Sequence, residues 1–368
     1  MRLVPYPTLR AQIEAILAAW GMPEETRGIS ADAMAETDLM GVDSHGISML
    51  PMYETLRRNG TLRLDAVPRL LRETPAAAVL DAGGGLGHPA AAMAMDLAVA
   101  KATSVGIGAV GVVNSHHFGA AGWYARRAAA AGCCGIAVSS ARGVLVVPTG
   151  GAEAMLGTNP IAFAAPLPDG PPFCLDMATS ATAANKVKVH ALTGKPLPPG
   201  WVVDGAGRPI TDAAAAWASI GGAVSAGRRP EGGLTPLGGA TTETGGHKGY
   251  GLAVMVQILA ATLLGAPFPP LHHARRAPGE GDALGHLLVA FSPAAFAGGQ
   301  EIFARGMAEL AGALRATRPA DPARPVLIPG DPEAEAMARR RAEGIPVPDT
   351  LVEQIRAVAA RAGAAVLF

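Results

Sequence analysis

Val112-Val113-Asn114-Ser115-His116-His117-Phe118-Gly119-Ala120-Ala121-Gly122-Trp123-Tyr124 is the stretch on which the reading of this chain turns. Before it, Ala109 to Val113 carries Ala, Val and Gly without a charge, the pattern of a buried strand. After it, Ala120 to Ala131 has helical composition, with Arg126 and Arg127 placed to reach solvent. Between them an amide, a hydroxyl, two imidazoles and a glycine sit at a strand-to-helix junction. Such a junction lies at a sheet edge beside free N–H groups of a helix, a position suited to anion binding and proton transfer. A histidine there can equally cap the helix or satisfy a buried carbonyl. Two further polar clusters, Asp43-Ser44-His45-Gly46 and the residues around Asp176, favour the functional reading.

Composition narrows the class. The 368 residues can bury a large core and suffice for about two or three domains. A hydrophobic share of 49% against 16% charged argues for a folded chain, and a formal net charge of +0 gives no signal for nucleic acid or an acidic membrane. Cys133, Cys134 and Cys174 make no Cys-x-x-Cys pair and no metal-ligand spacing. They read as buried free thiols in a reducing compartment. Pro5 and Pro7 stand where a signal peptide needs an apolar run. The longest apolar stretch, Gly251 to Ala266, is interrupted by Gln257. It falls short of the roughly 20 residues that cross a bilayer, so it reads as a buried helix. The expectation is a soluble, cytoplasmic protein with no membrane partner.

Along the chain, Leu9 to Trp20, Glu24 to Leu39 and Leu50 to Arg58 have helical periodicity, with the Gly41–Gly46 loop between the last two. From Ala76 the texture changes to strands at Ala78–Asp81, Gly108–Val113, Gly135–Val138 and Gly143–Val147, with an Ala/Met helix over Ala91–Ser104. Gly85-x-Gly87-x-x-Ala90 imitates a dinucleotide fingerprint. The next strand, however, ends in Asn114-Ser115-His116 and offers no acid to a ribose, so a Rossmann turn is not assigned. Cys174-Leu175-Asp176-Met177-Ala178-Thr179-Ser180 ends a strand in a carboxylate and two hydroxyls. Thr193 to Thr241 reads as loops with a short helix near Asp212–Ser219. Gly245-Gly246-His247-Lys248-Gly249-Tyr250-Gly251 opens the apolar helix, as a phosphate cradle or as a simple N-terminal turn. Beyond it come a solvent loop with His272-His273 and Arg275-Arg276, a strand at Leu287–Phe291, and helices at Ile302–Ala316, Pro332–Glu343 and Asp349–Ala362.

With the Gly41–Gly46 loop and Tyr53, Asn114–Tyr124, Gly157–Phe163, Asp176–Ser180 and Gly246–Leu252 in order, the chain resembles the type 2 malate/L-lactate dehydrogenase family. The likeness runs from about Arg10 to about Ala360. That resemblance implies an α/β fold of α+β type: a non-Rossmann, NAD(P)-binding mixed-sheet domain (76–244) flanked by a helical domain built from both chain ends (1–75 and 245–368). It further implies a homodimer, and NAD or NADP as cofactor.

The resemblance also assigns roles. Hydride transfer to a carbonyl leaves an alkoxide that must receive a proton, and a histidine can supply it. His45 and His117 both match positions treated as the proton donor. His45 is taken as the acid/base, with His117 lining and orienting the pocket, Ser44 bonding substrate, and Asp176 fixing an imidazole or touching the nicotinamide. Cofactor contacts fall on Ser140, Asp176, Met177, Ala178, Lys248 and Gly249, with Gly298-Gly299-Gln300-Glu301 a further turn of that kind. His116 and His247 are read as structural. Where the family carries an arginine to clamp the substrate carboxylate, this chain has Met49, and Arg57 or Arg58 is the nearby replacement. The expected reaction is therefore NAD(P)-dependent oxidation and reduction of a small 2-hydroxy acid/2-oxo acid pair. A cyclic imine carboxylate (piperideine- or pyrroline-2-carboxylate) is the alternative substrate, and a catalytically silent cofactor-binding homologue the alternative without catalysis.

Overall fold

Strand β1 (Arg2–Val4) pairs antiparallel with Ile345–Val347, which brings the two ends of the chain side by side. Helix α1 (Tyr6–Ala19) starts with a proline in its first turn, where a missing N–H costs nothing and the fixed φ is already helical. Leu9, Ile13, Ile16 and Leu17 form its buried stripe. Helix α2 (Glu24–Leu39) begins with Glu24 and Glu25, matched to the positive end of the helix dipole, and α3 (Leu50–Arg58) follows the polar loop. These side chains share one buried cluster with Ile345, Val352, Ile355 and Phe368 from the other end of the chain. The computed structural model describes residues 1–225, 229–277 and 279–368.

The centre is a 7-stranded mixed sheet. Its strands are β2 (Arg69–Glu73), β3 (Ala77–Asp81), β4 (Ile107–Ser115), β5 (Cys134–Ser139), β6 (Ile161–Ala165), β7 (Phe173–Met177) and, after the short ribbon of β8 (Val202–Val203) and β9 (Gly233–Leu234), β10 (Leu284–Phe291). The spatial order is β2-β3-β4-β10-β5-β6-β7. Only β3 and β4 run parallel, joined by helix α4 (Gly87–Val105); every other pairing is antiparallel. Helix α5 (Ala121–Ala130) connects β4 to β5. Small residues on both helices (Ala90, Ala94, Ala98, Ala125, Ala128) pack on Val110, Val112, Ala137 and Ala162 of the sheet, so helix and sheet approach closely.

Several expectations need correction. Gly143–Val147 is not a strand: Val146 makes only isolated bridges, to Leu156 and Leu234. Strand β10 lies between β4 and β5, so the sheet takes a segment that the division at residue 245 gave to the helical unit. The apolar helix starts earlier, at Gly246, and runs to Ala260, with a 3-10 turn at Thr262–Leu264. Together they span 19 residues, long and apolar enough to cross a bilayer by length and composition. One face (Gly249, Ala253, Val256, Ala260) is buried in the protein, whereas Met255, Ile258 and Leu263 are exposed, so the helix is buried on one side only.

Candidate active site

Distant parts of the chain meet around one cavity of about 460 Å³, which lies in the size range of small-molecule sites. Ser44, His45 and Met49 come from the α2–α3 loop, and His117 and Gly119 to Gly122 from the end of β4 and the start of α5. Asp176, Met177 and Ala178 come from β7, and Ser140 and Arg142 from the segment after β5.

The α2–α3 loop is held from beneath. Asp38, buried in the last turn of α2, accepts the Ile47 N–H at 2.7 Å. A Cβ on Gly46 would fall 2.0 Å from Asp38 Oδ1, so the loop can cross the carboxyl only at a glycine. Arg340, from the Asp331–Glu343 helix, bonds the Asp38 carbonyl at 2.6 Å and pairs with the Asp43 carboxylate. On this support Ser44 Oγ lies 2.8 Å from His45 Nδ1.

His117 is oriented differently. Its Nδ1 lies 2.8 Å from the Tyr53 hydroxyl and receives the Gly119 N–H at 3.4 Å. A backbone N–H can only donate, so Nδ1 is the acceptor and the neutral ring carries its proton on Nε2. Burial pushes the Tyr53 phenol far above its usual range, which keeps it a protonated donor. The rings of His45 and His117 stack at 5.4 Å with 27° between planes. Burial lowers the pKa of both. For His45 burial is the cause, whereas His117 is driven well below the usual value by burial first and then by His45, His88, His286 and Arg142 around it.

Asp176 Oδ2 accepts the Gly122 N–H at 2.7 Å. Gly122 lies so close that a Cβ there would sit 2.8 Å from that oxygen. The carboxylate keeps surface toward the cavity, yet the protein around it displaces most of its water. Desolvation pushes its pKa up to about 6, opposed by the Gly122 N–H and reinforced by Glu333. Ser140 is tied to the centre of the sheet: its Oγ accepts the Gly285 N–H at 3.1 Å, and it lines the cavity beside Met177 and Ala178.

The cavity does not collect every expected residue. Lys248 is exposed, and neither it nor Gly249 lines the cavity; Gly249 is packed so tightly on the Leu237 backbone that a Cβ would fall 2.1 Å from its carbonyl oxygen. Gly298 to Glu301 also lie outside its lining, and Gln300 instead donates to the Gly132 carbonyl at 3.0 Å. Arg57 stacks on Trp20 at 5.5 Å and Arg58 is exposed, so neither replaces a guanidinium at Met49. Arg126, expected in solvent, lines the cavity, and its Nη1 is buried without a hydrogen-bond partner among the described residues.

Two participants were invisible in the sequence. His88 is fully buried, edge-on to Tyr53 at 6.0 Å, with both ring nitrogens unpartnered among the described residues. Only its place after a glycine run could have drawn attention to it. The other is Asp282, buried among guanidinium and imidazole groups. Arg142 Nε lies at 2.8 Å, Arg276 Nη1 at 2.9 Å and His116 Nδ1 at 3.3 Å. His116 also directs Nε2 to the Thr61 carbonyl at 2.6 Å, and Arg276 is no solvent decoration.

This arrangement can take up and return a proton at His45, donate a hydrogen bond from His117 Nε2, and hold an anion beside a guanidinium. A model of the family described as Malate/L-lactate dehydrogenase matches residues 4–356. The chain is 36% identical over 360 residues to a malate dehydrogenase of Pyrococcus abyssi, covering 98% of this chain and 95% of that one. It is 35% identical over 359 residues to an L-sulfolactate dehydrogenase of Methanothermobacter thermautotrophicus, covering 98% and 96%. It is 34% identical over 351 residues to a (2R)-3-sulfolactate dehydrogenase (NADP(+)) of Chromohalobacter salexigens, covering 94% of each. Among solved structures, malate dehydrogenase from Entamoeba histolytica superposes with a TM-score of 0.91 at 29% identity, covering 100% of this chain and 99% of that one. The Δ1-piperideine-2-carboxylate reductase of Pseudomonas syringae superposes with a TM-score of 0.80 at 31% identity, covering 98% and 100%.

Proposed function

Because the chain belongs to the malate/L-lactate dehydrogenase family, we propose that its cavity carries hydride transfer between a nicotinamide cofactor and a small 2-hydroxy acid/2-oxo acid, with His45 as the acid/base. The enzyme is an oxidoreductase that uses NAD or NADP. The observation that carries the mechanistic reading is the stacked pair His45–His117, built from distant parts of the chain on one cavity wall.

The residues present fit such a cofactor. Arg126 offers to phosphate oxygens a buried guanidinium nitrogen that has no partner among the described residues, and Asp176 has one oxygen left after bonding Gly122 to accept from a carboxamide or hydroxyl. Ser140, Met177 and Ala178 line the same cavity. The bound cofactor supplies the hydride acceptor or donor. His45, neutral at neutral pH because it is buried, takes the hydroxyl proton of the 2-hydroxy acid as its hydride leaves, and returns that proton in the reverse direction. His117 stays a neutral donor, since Tyr53 and Gly119 occupy its other nitrogen, and its Nε2–H orients the substrate oxygen. Ser44 holds His45 Nδ1.

The second reading, reduction of a cyclic imine carboxylate, is supported by the likeness to the piperideine-2-carboxylate reductase and by Met49, an apolar group that accommodates a ring. We further propose that the chain acts as a homodimer, since Met255, Ile258 and Leu263 leave an apolar face uncovered, and that its free thiols Cys133, Cys134 and Cys174 suit the cytoplasm. Nicotinamide absorbance with NADH and NADPH, over 2-oxo acids and piperideine-2-carboxylate, tests the reading. His45→Ala is expected to lower kcat by roughly 100-fold or more, and full activity in that variant would remove His45 from the role.

A further inference from the structure

A 2-oxo acid enters this cavity as an anion, and a carboxylate leaving water for a largely apolar wall needs a countercharge. Met49 provides none. Among the described residues that line the cavity, the permanently cationic side chains are Arg126 and Arg142. They belong to different ends. Arg126, on α5, places Nη2 3.6 Å from Met337 Sδ and acts electrostatically on Cys174, which neighbours Asp176 on β7. Arg142 is joined through Asp282 to His116, the residue directly before His117.

The Arg142 anchor is one-sided. Its Nε lies 2.8 Å from Asp282 Oδ2 as an ion pair without hydrogen-bond alignment, so within the described residues the guanidinium has a countercharge but no directed hydrogen bond. The side chain keeps 31% of its surface, and the residue lines the cavity with Met49, Met52, His45 and His117. Asp282 is shared with Arg276, so one buried carboxylate faces two guanidinium groups and positive charge is left over. A guanidinium held by an ion pair on one side, with its donors otherwise unused, has the fork that a carboxylate accepts in a bidentate pair.

We propose that Arg142 binds the substrate carboxylate in place of the arginine absent at position 49, and that Met49 and Met52 receive an apolar substituent of a monocarboxylic 2-oxo acid. This rests on reading the cavity as the hydride-transfer site. Asp282 is a positioning residue that sets the guanidinium from behind. A dicarboxylic substrate is disfavoured, because its second carboxylate would face the two methionines.

The test compares wild type, Arg142→Met, Arg142→Lys and the double variant Met49→Arg/Arg142→Met, each checked for folding by thermal melting. Steady-state kinetics use pyruvate, a branched 2-oxo acid and oxaloacetate; calorimetry follows oxamate, a non-reacting 2-oxo acid mimic, binding to enzyme loaded with reduced cofactor. Arg142→Met is expected to raise KM for the monocarboxylic acids and weaken oxamate on the order of 100-fold, with a smaller change in kcat. Cofactor affinity by fluorescence titration is expected to stay within about twofold, since the guanidinium is assigned to the substrate. Arg142→Lys is expected to lie between, and the double variant to regain most of the loss and accept oxaloacetate better than wild type does. Unchanged KM and oxamate binding in Arg142→Met, or weakened cofactor with intact substrate binding, would overturn the assignment while leaving the dehydrogenase reading standing. A wild type that neither turns over nor binds any of these carboxylates would overturn both.

Discussion

The Tyr53 hydroxyl lies 2.8 Å from His117 Nδ1, although 64 residues separate the two along the chain. Tyr53 is a fully buried member of the core that the two chain ends share, so the imidazole just beyond β4 is oriented from the helical part of the molecule. Removal of that oxygen is therefore a sharp probe. Tyr53→Phe is expected to lower kcat by roughly 10-fold and stability by about 1 kcal/mol, because Nδ1 is left with only the Gly119 N–H at 3.4 Å. Kinetics beside chemical denaturation check this; wild-type kcat would show that the Tyr53 hydroxyl does not hold His117 in its working orientation.

The pH profile follows from the sign of the imidazole shifts. Burial lowers His45 below its ordinary 6.5, and His117 further. Oxidation of the 2-hydroxy acid needs a neutral base, so its rate should hold from neutral pH to below 6.5 and fall only as the coupled pair protonates. Reduction needs the protonated form and should slow as pH rises through the same lowered pKa. Profiles of kcat/KM in both directions test this. An acidic limb for oxidation centred above pH 7 contradicts it.

Gly122→Ala puts a methyl carbon 2.8 Å from Asp176 Oδ2 and 2.9 Å from its Cβ. Strand and helix must part or the carboxyl must rotate, at a cost of about 1–3 kcal/mol. Loss of stability in denaturant, with a weakened cofactor affinity by fluorescence titration, is expected. A variant with wild-type values for both would mean that Asp176 moves aside without consequence.

Acid stability should depend on His88. Burial pushes His88 and His286 down to about 3, so between about 6.5 and 3 the unfolded chain binds protons that the native rings refuse. Stability is then intact above the ordinary histidine value and falls as pH drops, by about 1.4 kcal/mol per pH unit for each such ring. Asp38 and Asp176, raised by burial, act in the opposite sense and soften the slope. His88→Met removes one ring whose nitrogens have no partner among the described residues, so it should be tolerated at pH 7.5 and lose stability less steeply from pH 6.5 to 5. Identical slopes by urea denaturation at several pH values would contradict this.

Local elements were legible from the chain alone. Glu24–Leu39, Leu50–Arg58 and Asp349–Ala362 end where the sequence says, because their stripes, prolines and caps act within a few residues. So were the polar loop at Ser44-His45 and the junction at His117, since each is a matter of residue type, while the missing cation at Met49 followed from the family resemblance. Assembly was not legible. Strand β10 enters between β4 and β5 through hydrogen bonds to partners roughly 150 to 180 residues away, a choice that no local pattern encodes. Gly143–Val147 has strand composition but finds only isolated bridges. Lys248 opens a glycine-rich turn yet lies outside the cavity, while Arg142, an unremarked residue in a loop, lines it beside its ion-pair partner Asp282 on the approach to β10. Residue types and local patterns dictate which chemical groups this protein possesses and most of the helices that carry them. The tertiary structure alone decided which of those groups share a cavity, because burial, charge pairing and sheet order bring together residues far apart in the chain.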